Sequence, residues 1–155
     1  MLDGAMGTQI QRHRLTEEQF RGNEFISHPV PLRGNNDLLS LTLPDIIESI
    51  HLDYLRAGAD IVSTNTFNAN AISLADYAME GLVYRMNYTS ASLARKAVAT
   101  FNKETGRVAW VAGSVGPTNR TASMSPDVND PGARTVTFSD LSVAYAGQVR
   151  GLIDG

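Results

Sequence analysis

Short apolar runs that end in small polar residues alternate along this chain with longer segments of helical periodicity. Residues 60–67 and 108–119 each contain an apolar run that becomes polar towards its C-terminal end, and residues 2–8 repeat the polar ending. Such runs are typical of parallel strands that are buried on both faces. Because parallel strands need crossover connections, usually helices, the order predicts a β-α-β-α-β-α chain with right-handed crossovers.

The segments between these runs carry the start and stop signals of helices. The pattern Thr42-Leu43-Pro44-Asp45 predicts a helix that has Thr42 as its N-cap and ends at Gly58. Residues 72–105 are long enough for two helices, with a break near Gly81. The pattern of residues 137–140 repeats the capping signal and predicts a third helix. The apolar stripe of this third helix is formed by Leu141, Tyr145, Val149, Leu152 and Ile153.

Three β/α units form either a small doubly wound sheet or part of a (β/α)₈ TIM barrel. A complete barrel needs about 250 residues, so a chain of 155 residues is long enough for about three of its eight units. The first strand motif begins at residue 2, and the pattern that leads from a capped helix into a strand stops at Gly155. We therefore expect residues 1–155 to be one α/β fragment of a barrel that is cut at both ends.

Composition and charge exclude several classes of protein. The chain is 43% hydrophobic and 19% charged, as is usual for a soluble globular domain, and its net charge of −3 gives no electrostatic reason to expect nucleic acid or an anionic membrane surface. No apolar run approaches the roughly 20 residues of a membrane span. There is no cysteine, and the three histidines lack the spacing of metal ligands. We expect a cytoplasmic protein with no metal site of its own.

Function in both candidate folds concentrates at the C-terminal ends of the strands. Asp3 and Gly4 suit a ligand with a cationic group, because the carboxylate holds the charge and the glycine lets the ligand approach the backbone. The alternative is a turn, for which Asp-Gly is equally typical. Asn65 and Asn119 suit the polar end of an amino acid or a similar small substrate, whereas the threonines beside them are assigned to caps and turns.

Two polar segments lie next to these strand ends. Residues 33–37 precede the first capped helix and form either a loop over the barrel mouth or a simple connection. Residues 116–135 form a loop of a length that is uncommon and often functional. Its acidic part, residues 125–131, does not have the order of an EF-hand loop, so we expect no calcium site.

Together, the motifs resemble the homocysteine-binding domain of cobalamin-dependent methionine synthases. They occur in the order of that family and cover the whole chain. Residues 2–8, 57–61 and 64–67 look like features of homocysteine methyltransferases in general, whereas residues 34–37 and 125–131 look specific to the cobalamin-dependent enzymes. The motifs are Leu2-Asp3-Gly4-Ala5-Met6-Gly7-Thr8, Phe20-Arg21-Gly22, Gly34-Asn35-Asn36-Asp37, Ala57-Gly58-Ala59-Asp60-Ile61, Thr64-Asn65-Thr66-Phe67, Gly116-Pro117-Thr118-Asn119-Arg120-Thr121 and Ser125-Pro126-Asp127-Val128-Asn129-Asp130-Pro131.

This resemblance implies the N-terminal part of a (β/α)₈ barrel in which zinc binds the homocysteine sulfur and lowers the thiol pKa. The thiolate would attack the methyl group of methylcobalamin to give methionine. Methyltetrahydrofolate, bound by another domain in the family, would then remethylate the cobalamin. The substrate-binding residues that the resemblance implies are Asp3 for the homocysteine ammonium, the backbone of Gly4 and Ala5 for the amino-acid moiety, and Asn65, Thr66 and Asn119 for the same mouth.

The chain departs from the family's pattern in two ways. Ser63 stands where the family usually has glutamate, which removes a charge from the barrel mouth. The family binds zinc through three cysteines, and the chain has none, so we expect the zinc ligands to lie outside it and the chain alone to be inactive, with no catalytic residue of its own. The alternatives are a homocysteine methyltransferase that uses betaine or S-methylmethionine, and a non-catalytic binding module that associates through unpaired sheet edges.

Overall fold

A parallel sheet of two strands, with a third segment bridged to it, lies in the protein, which a computed structural model describes over all 155 residues. Strand β1 (Ile61–Ser63) pairs in parallel with strand β2 (Trp110–Ala112). On the other side of β1, Leu2 forms a single parallel bridge with Ile61, and the Asp3 N–H donates to the Ile61 carbonyl at 2.9 Å. The three predicted parallel segments are therefore present. They are shorter than predicted because the sheet pairing ends where each run becomes polar.

The helices lie between and after these segments in the predicted β-α-β-α-β-α order. Residues 75–77 and 80–82 form short 3₁₀ turns between the helices Ala71–Leu74 and Val83–Thr105, so the predicted break near Gly81 is confirmed. The helices are α1 (Met6–Arg12), α2 (Glu17–Arg21), α3 (Leu39–Thr42), α4 (Pro44–Arg56), α5 (Ala71–Leu74), α6 (Val83–Thr105) and α7 (Phe138–Asp154).

Helix α4 does not begin as predicted. Thr42 is the last residue of α3 rather than an N-cap, and its hydroxyl donates to the Leu38 carbonyl at 3.5 Å. The N-cap of α4 is Leu43, which has no side-chain hydrogen bond to the helix, and Pro44 opens the first turn. The physical reason is that Leu38 and Leu39 are fully buried, which holds residues 39–42 in the separate helix α3. The proline with its fixed φ then starts α4.

The faces of the sheet are unequally covered. Val62 packs with Leu55 of α4 and Phe101 of α6 in one apolar cluster, so these two helices cover the same face. Because side chains alternate along a strand, Ser63 and Trp110 point to the opposite face, where Trp110 is 64% exposed. The expectation that the strands are buried on both faces is therefore wrong for β2.

Helix α7 packs through a different face from the one that the sequence predicts. Its capping box is present, with Thr137 and Asp140 bonded reciprocally. The buried residues are Ala144, Gln148 and Gly151, whereas Val149 of the predicted stripe is 39% exposed and Ile153 is 77% exposed. Small residues let the helix approach α6 closely, since a Cβ on Gly151 would lie 2.7 Å from the carbonyl oxygen of Tyr84. The close approach of the α7 and α6 backbones, and not the larger apolar side chains of α7, therefore determines which face of α7 is buried.

None of the helices has both the length and the apolar character that crossing a membrane requires.

Candidate functional site

A cavity of about 350 Å³ opens where β1 ends. This volume lies within the range of small-molecule sites. The cavity also lies at the C-terminal end of a parallel strand, which is where β/α folds place their ligand sites. Its lining consists of Ser63 at the end of β1 and residues 64–68 after it, Gly4, Met6 and Gly7 after the Leu2 bridge, Asn36 and Asp37 in the 3₁₀ turn before α3, and Ser114 after β2.

The side chain of Asn65 lies in the wall of this cavity and is buried. Its amide nitrogen donates to the Asn36 carbonyl at 2.7 Å and to the Ser40 hydroxyl at 3.4 Å. The Ser90 hydroxyl of α6 donates to Ser40 at 2.7 Å and contacts the Asn65 carbonyl at 3.3 Å. Asn65 therefore fastens the end of β1 to α3 and α6, in addition to lining the cavity.

Thr66 is also fully buried in the cavity wall. Its hydroxyl lies 2.6 Å from the Thr64 hydroxyl and donates to the Ser114 carbonyl at 2.8 Å, while the Ser114 N–H donates to Thr64 at 2.9 Å. The Thr66 carbonyl accepts the amide N–H of Gln148 at 2.7 Å. These bonds join the ends of β1 and β2 to each other and to α7.

Asp3 is held by a residue of the next strand. Its two carboxylate oxygens accept the N–H of Ser63 at 2.8 Å and the hydroxyl of Ser63 at 2.9 Å. Asp3 and Gly4 connect the Leu2 bridge to α1, which begins at Met6. The carboxylate of Asp3 bonds to Ser63 of the neighbouring strand and not within a turn of its own, as the alternative prediction would require. No Lys, Arg or His side chain forms an ion pair with Asp3.

Gly4 lines the cavity, whereas Ala5 does not. A Cβ on Gly4 would lie 2.9 Å from the Cε1 atom of Tyr54 in α4, so the Tyr54 ring requires the absence of a side chain here. The Tyr54 hydroxyl donates to the Ala5 carbonyl at 3.2 Å. The close approach that the sequence predicts at Gly4 is therefore made by a tyrosine ring of the protein itself.

Asp37 is a cavity residue that the sequence-based site did not include. It is 4% exposed, and its Oδ2 accepts the N–H of Asn68 at 2.8 Å. Burial raises the pKa of the Asp37 carboxyl to about 7, against the lowering effect of hydrogen bonds from the N–H groups of Asn68 and Phe67. The signal in the sequence is an acid placed directly before Leu38 and Leu39, since an acid joined to a buried apolar run is drawn into the interior with it.

Asn119 lines a second, adjoining cavity of about 190 Å³. Its amide donates to the Asp76 carboxylate at 2.6 Å, and Arg120 lies 3.5 Å from the same carboxylate. The two cavities share Asn36, Asp37 and Asn68 as a common wall. The structure therefore brings Gly4, Asn65 and Thr66 into the first cavity, with Asp3 bonded to its rim, and places Asn119 in the second.

The electrostatic character of both cavities favours neutral or cationic groups. Neither lining contains Lys, Arg or His, while Asp37 lies in both and Asp76 in the second. No group of three or more His, Cys, Asp or Glu side chains is placed to hold a metal ion. The zinc that the resemblance implies therefore finds no donor set among these residues, which include no cysteine.

Comparison with known proteins gives the family. The homocysteine S-methyltransferase family model matches residues 1–155. The chain belongs to the homocysteine S-methyltransferase family. This membership confirms the resemblance at the level of the family.

The solved structures similar to this homocysteine S-methyltransferase family member include the homocysteine methyltransferase MmuM from Escherichia coli. The oxidized form has a TM-score of 0.71 and 23% identity over 99% of this chain and 48% of that one. The metallated form has a TM-score of 0.71 and 24% identity over 99% of this chain and 49% of that one. The chain thus spans about half the length of these proteins. The predicted fold class, part of a (β/α)₈ barrel, is confirmed.

Proposed function

We propose that the chain is the substrate-placing part of a cobalamin-dependent methionine synthase, which transfers a methyl group from methylcobalamin to homocysteine. Methyltetrahydrofolate, bound by another domain, would recharge the cobalamin. The observation that carries the proposal is a polar cavity at the end of β1 that lacks basic side chains and has the Asp3 carboxylate, free of any cationic partner, bonded to its rim. Residues 34–37 and 125–131 support the choice of cobalamin as the methyl carrier.

In this proposal, each side of the cavity meets a different part of homocysteine. Asp3 accepts the ammonium group, because its carboxylate has no cationic partner and is bonded to Ser63 in the cavity lining. The backbone of Gly4 lies along the amino-acid moiety, and Asn65 and Thr66 form a further part of the wall, whereas the predicted role of Ala5 is not retained because Ala5 does not line the cavity. Asn119 would meet only a part of the ligand that extends past the shared wall into the second cavity.

Activation of the sulfur is proposed to depend on residues outside this chain. Bound zinc would lower the pKa of the homocysteine thiol, so that the thiolate exists at neutral pH. The three cysteines that would hold it have no counterpart among the 155 residues. The role of this chain is therefore to bind and orient homocysteine, and the isolated chain is proposed to have no methyltransferase activity.

The test compares methyl donors on the complete protein that carries this chain. Methionine formation from homocysteine is measured with methylcobalamin and methyltetrahydrofolate, with betaine, and with S-methylmethionine. We expect turnover with the cobalamin system alone. Turnover that depends on betaine or S-methylmethionine would replace the proposed donor, and absence of homocysteine binding would overturn the proposal as a whole.

A second measurement tests the isolated 155-residue chain. We expect no methionine formation with any of the three donors, with or without added zinc. Activity in this chain would overturn the proposed division between substrate placement and sulfur activation. Size-exclusion chromatography in the same samples tests the self-association alternative, which predicts a defined oligomer that binds homocysteine tightly without zinc.

A further inference from the structure

Ser63 donates two hydrogen bonds to the Asp3 carboxylate, from its backbone and from its side chain. The Ser63 N–H donates to one carboxylate oxygen at 2.8 Å, and the Ser63 hydroxyl donates to the other at 2.9 Å. The backbone N–H of Asp3 is also fixed, because it donates to the Ile61 carbonyl of the same strand at 2.9 Å. The carboxylate therefore cannot turn without losing a hydrogen bond at one oxygen.

The two hydrogen bonds from Ser63 leave part of the acceptor capacity of the Asp3 carboxylate unused. A carboxylate offers about four lone-pair positions, and Ser63 occupies one on each oxygen. No cationic side chain takes the remaining ones. Ser63 and Gly4, the spatial and chain neighbours of Asp3, both line the first cavity, so the Asp3 carboxylate adjoins that cavity through them.

We infer that Ser63 is a positioning residue that fixes the Asp3 carboxylate for the ammonium group of an amino-acid substrate. The inference rests on the proposed function and adds the residue that sets the orientation of the ammonium acceptor. The hydroxyl is the essential part, because the backbone N–H of residue 63 would remain in any variant. A residue without a side-chain donor at this position leaves one Asp3 carboxylate oxygen without its hydrogen bond. The carboxylate can then rotate, and that oxygen bonds to water instead.

The test measures binding of two ligands to the complete protein that carries this chain. The ligands are L-homocysteine and 4-sulfanylbutanoate, which has the same thiol and carboxylate but no amino group. We expect Ser63→Ala to weaken homocysteine binding about tenfold, the lower end of the range for one lost hydrogen bond to a charged group, and to change binding of the amine-free ligand by less than about twofold. Ser63→Thr keeps the hydroxyl on a strand and should restore homocysteine binding.

A double-mutant cycle separates action through Asp3 from direct contact with the ligand. In an Asp3→Ala background, Ser63→Ala should change homocysteine binding by less than about twofold, because the group that it positions is gone. Equal weakening of both ligands by Ser63→Ala, or undiminished weakening in the Asp3→Ala background, would overturn the positioning role. Failure of the unmodified protein to bind homocysteine would instead overturn the proposed function, so the two failures are distinguishable.

Discussion

The ends of the two strands are built in opposite ways, although both carry short polar side chains in similar sequence. After β1, Thr64, Asn65 and Thr66 are buried and bonded to α3, β2 and α7. After β2, the segment 116–135 is mostly exposed and bonds largely to itself, for example from the Ser125 hydroxyl to the Asp127 carbonyl at 2.7 Å. The chain thus gives its candidate site one fixed wall and one that is tied down only locally.

This difference separates substrate placement from the remainder of the mouth. Buried, fully bonded polar groups hold a single geometry, which a binding site for a small amino acid requires. A segment held by bonds between residues two to five apart opens at low cost and contributes little to global stability. We therefore expect changes after β1 to affect both stability and homocysteine binding, and changes in residues 117–135 to affect neither strongly.

The largest expected effect comes from Asp37, the buried acid behind the β1 end. Its folded-state pKa of about 7 lies above the usual value of 3.8, so its contribution to stability is complete below about pH 4 and is lost as pH rises through 7. Asp37→Asn removes this loss. Urea unfolding should show the variant gaining stability relative to the unmodified protein between pH 4 and 7, by at most about 1.4 kcal/mol per pH unit.

Two controls sharpen that measurement. Asp127→Asn is the same change at an exposed carboxylate, which accepts the Asn129 N–H at 2.8 Å, and should alter stability at pH 7 by less than about 0.5 kcal/mol. His51 has the opposite effect on the pH dependence of stability. Burial lowers its pKa to about 4, so its contribution to the free energy of unfolding is lost as pH falls from about 6.5 towards 4. His51→Asn should therefore make stability decline more steeply with rising pH. If the free energy of unfolding of Asp37→Asn had the same pH dependence as that of the unmodified protein, the raised pKa of Asp37 would be contradicted.

The next effect concerns the bond between α7 and the β1 end. Gln148→Ala removes the donor to the Thr66 carbonyl and leaves a space at a fully buried position, so we expect a loss of about 1–3 kcal/mol in the free energy of unfolding. Homocysteine binding should weaken as well, because Thr66 lines the cavity. Arg150→Ala, on the exposed side of the same helix, is the control. Equal effects of the two substitutions would mean that α7 does not support this wall.

A smaller effect distinguishes the two Thr-x-x-Asp patterns. Thr137→Val removes a real N-cap and should cost about 1 kcal/mol. Thr42→Val removes only a long hydroxyl contact with the Leu38 carbonyl and should cost less than about 0.5 kcal/mol. Thermal unfolding of the two variants side by side gives the comparison. A larger loss at Thr42 would show that this threonine, and not Pro44, determines where α4 begins.

Sequence patterns predicted the parts of this molecule that depend on local bonding and on strand order. Strand order, the break near Gly81 and the capping box at Thr137 follow from nearest-neighbour chemistry, and the structure contains them. The packing of α7 does not follow from its apolar stripe, because close approach at Gly151 depends on the backbone of α6. The position of Asp37 beside Leu38 and Leu39 is a local signal for its burial, but its place in the cavity wall depends on the fold around it.

The smallest expected effect is that of Asn119, the proposed site residue after β2. Its amide bonds to the exposed Asp76 carboxylate in the second cavity, so Asn119→Ala should weaken homocysteine binding by no more than about twofold and change stability by less than about 0.5 kcal/mol. Asn65→Ala is the matched amide after β1. It removes buried bonds to Asn36 and Ser40 and should cost about 1–3 kcal/mol in stability, with a larger loss of homocysteine binding. A tenfold loss of binding in Asn119→Ala at unchanged thermal stability would instead place the β2 segment against the substrate and remove the contrast between the two strand ends.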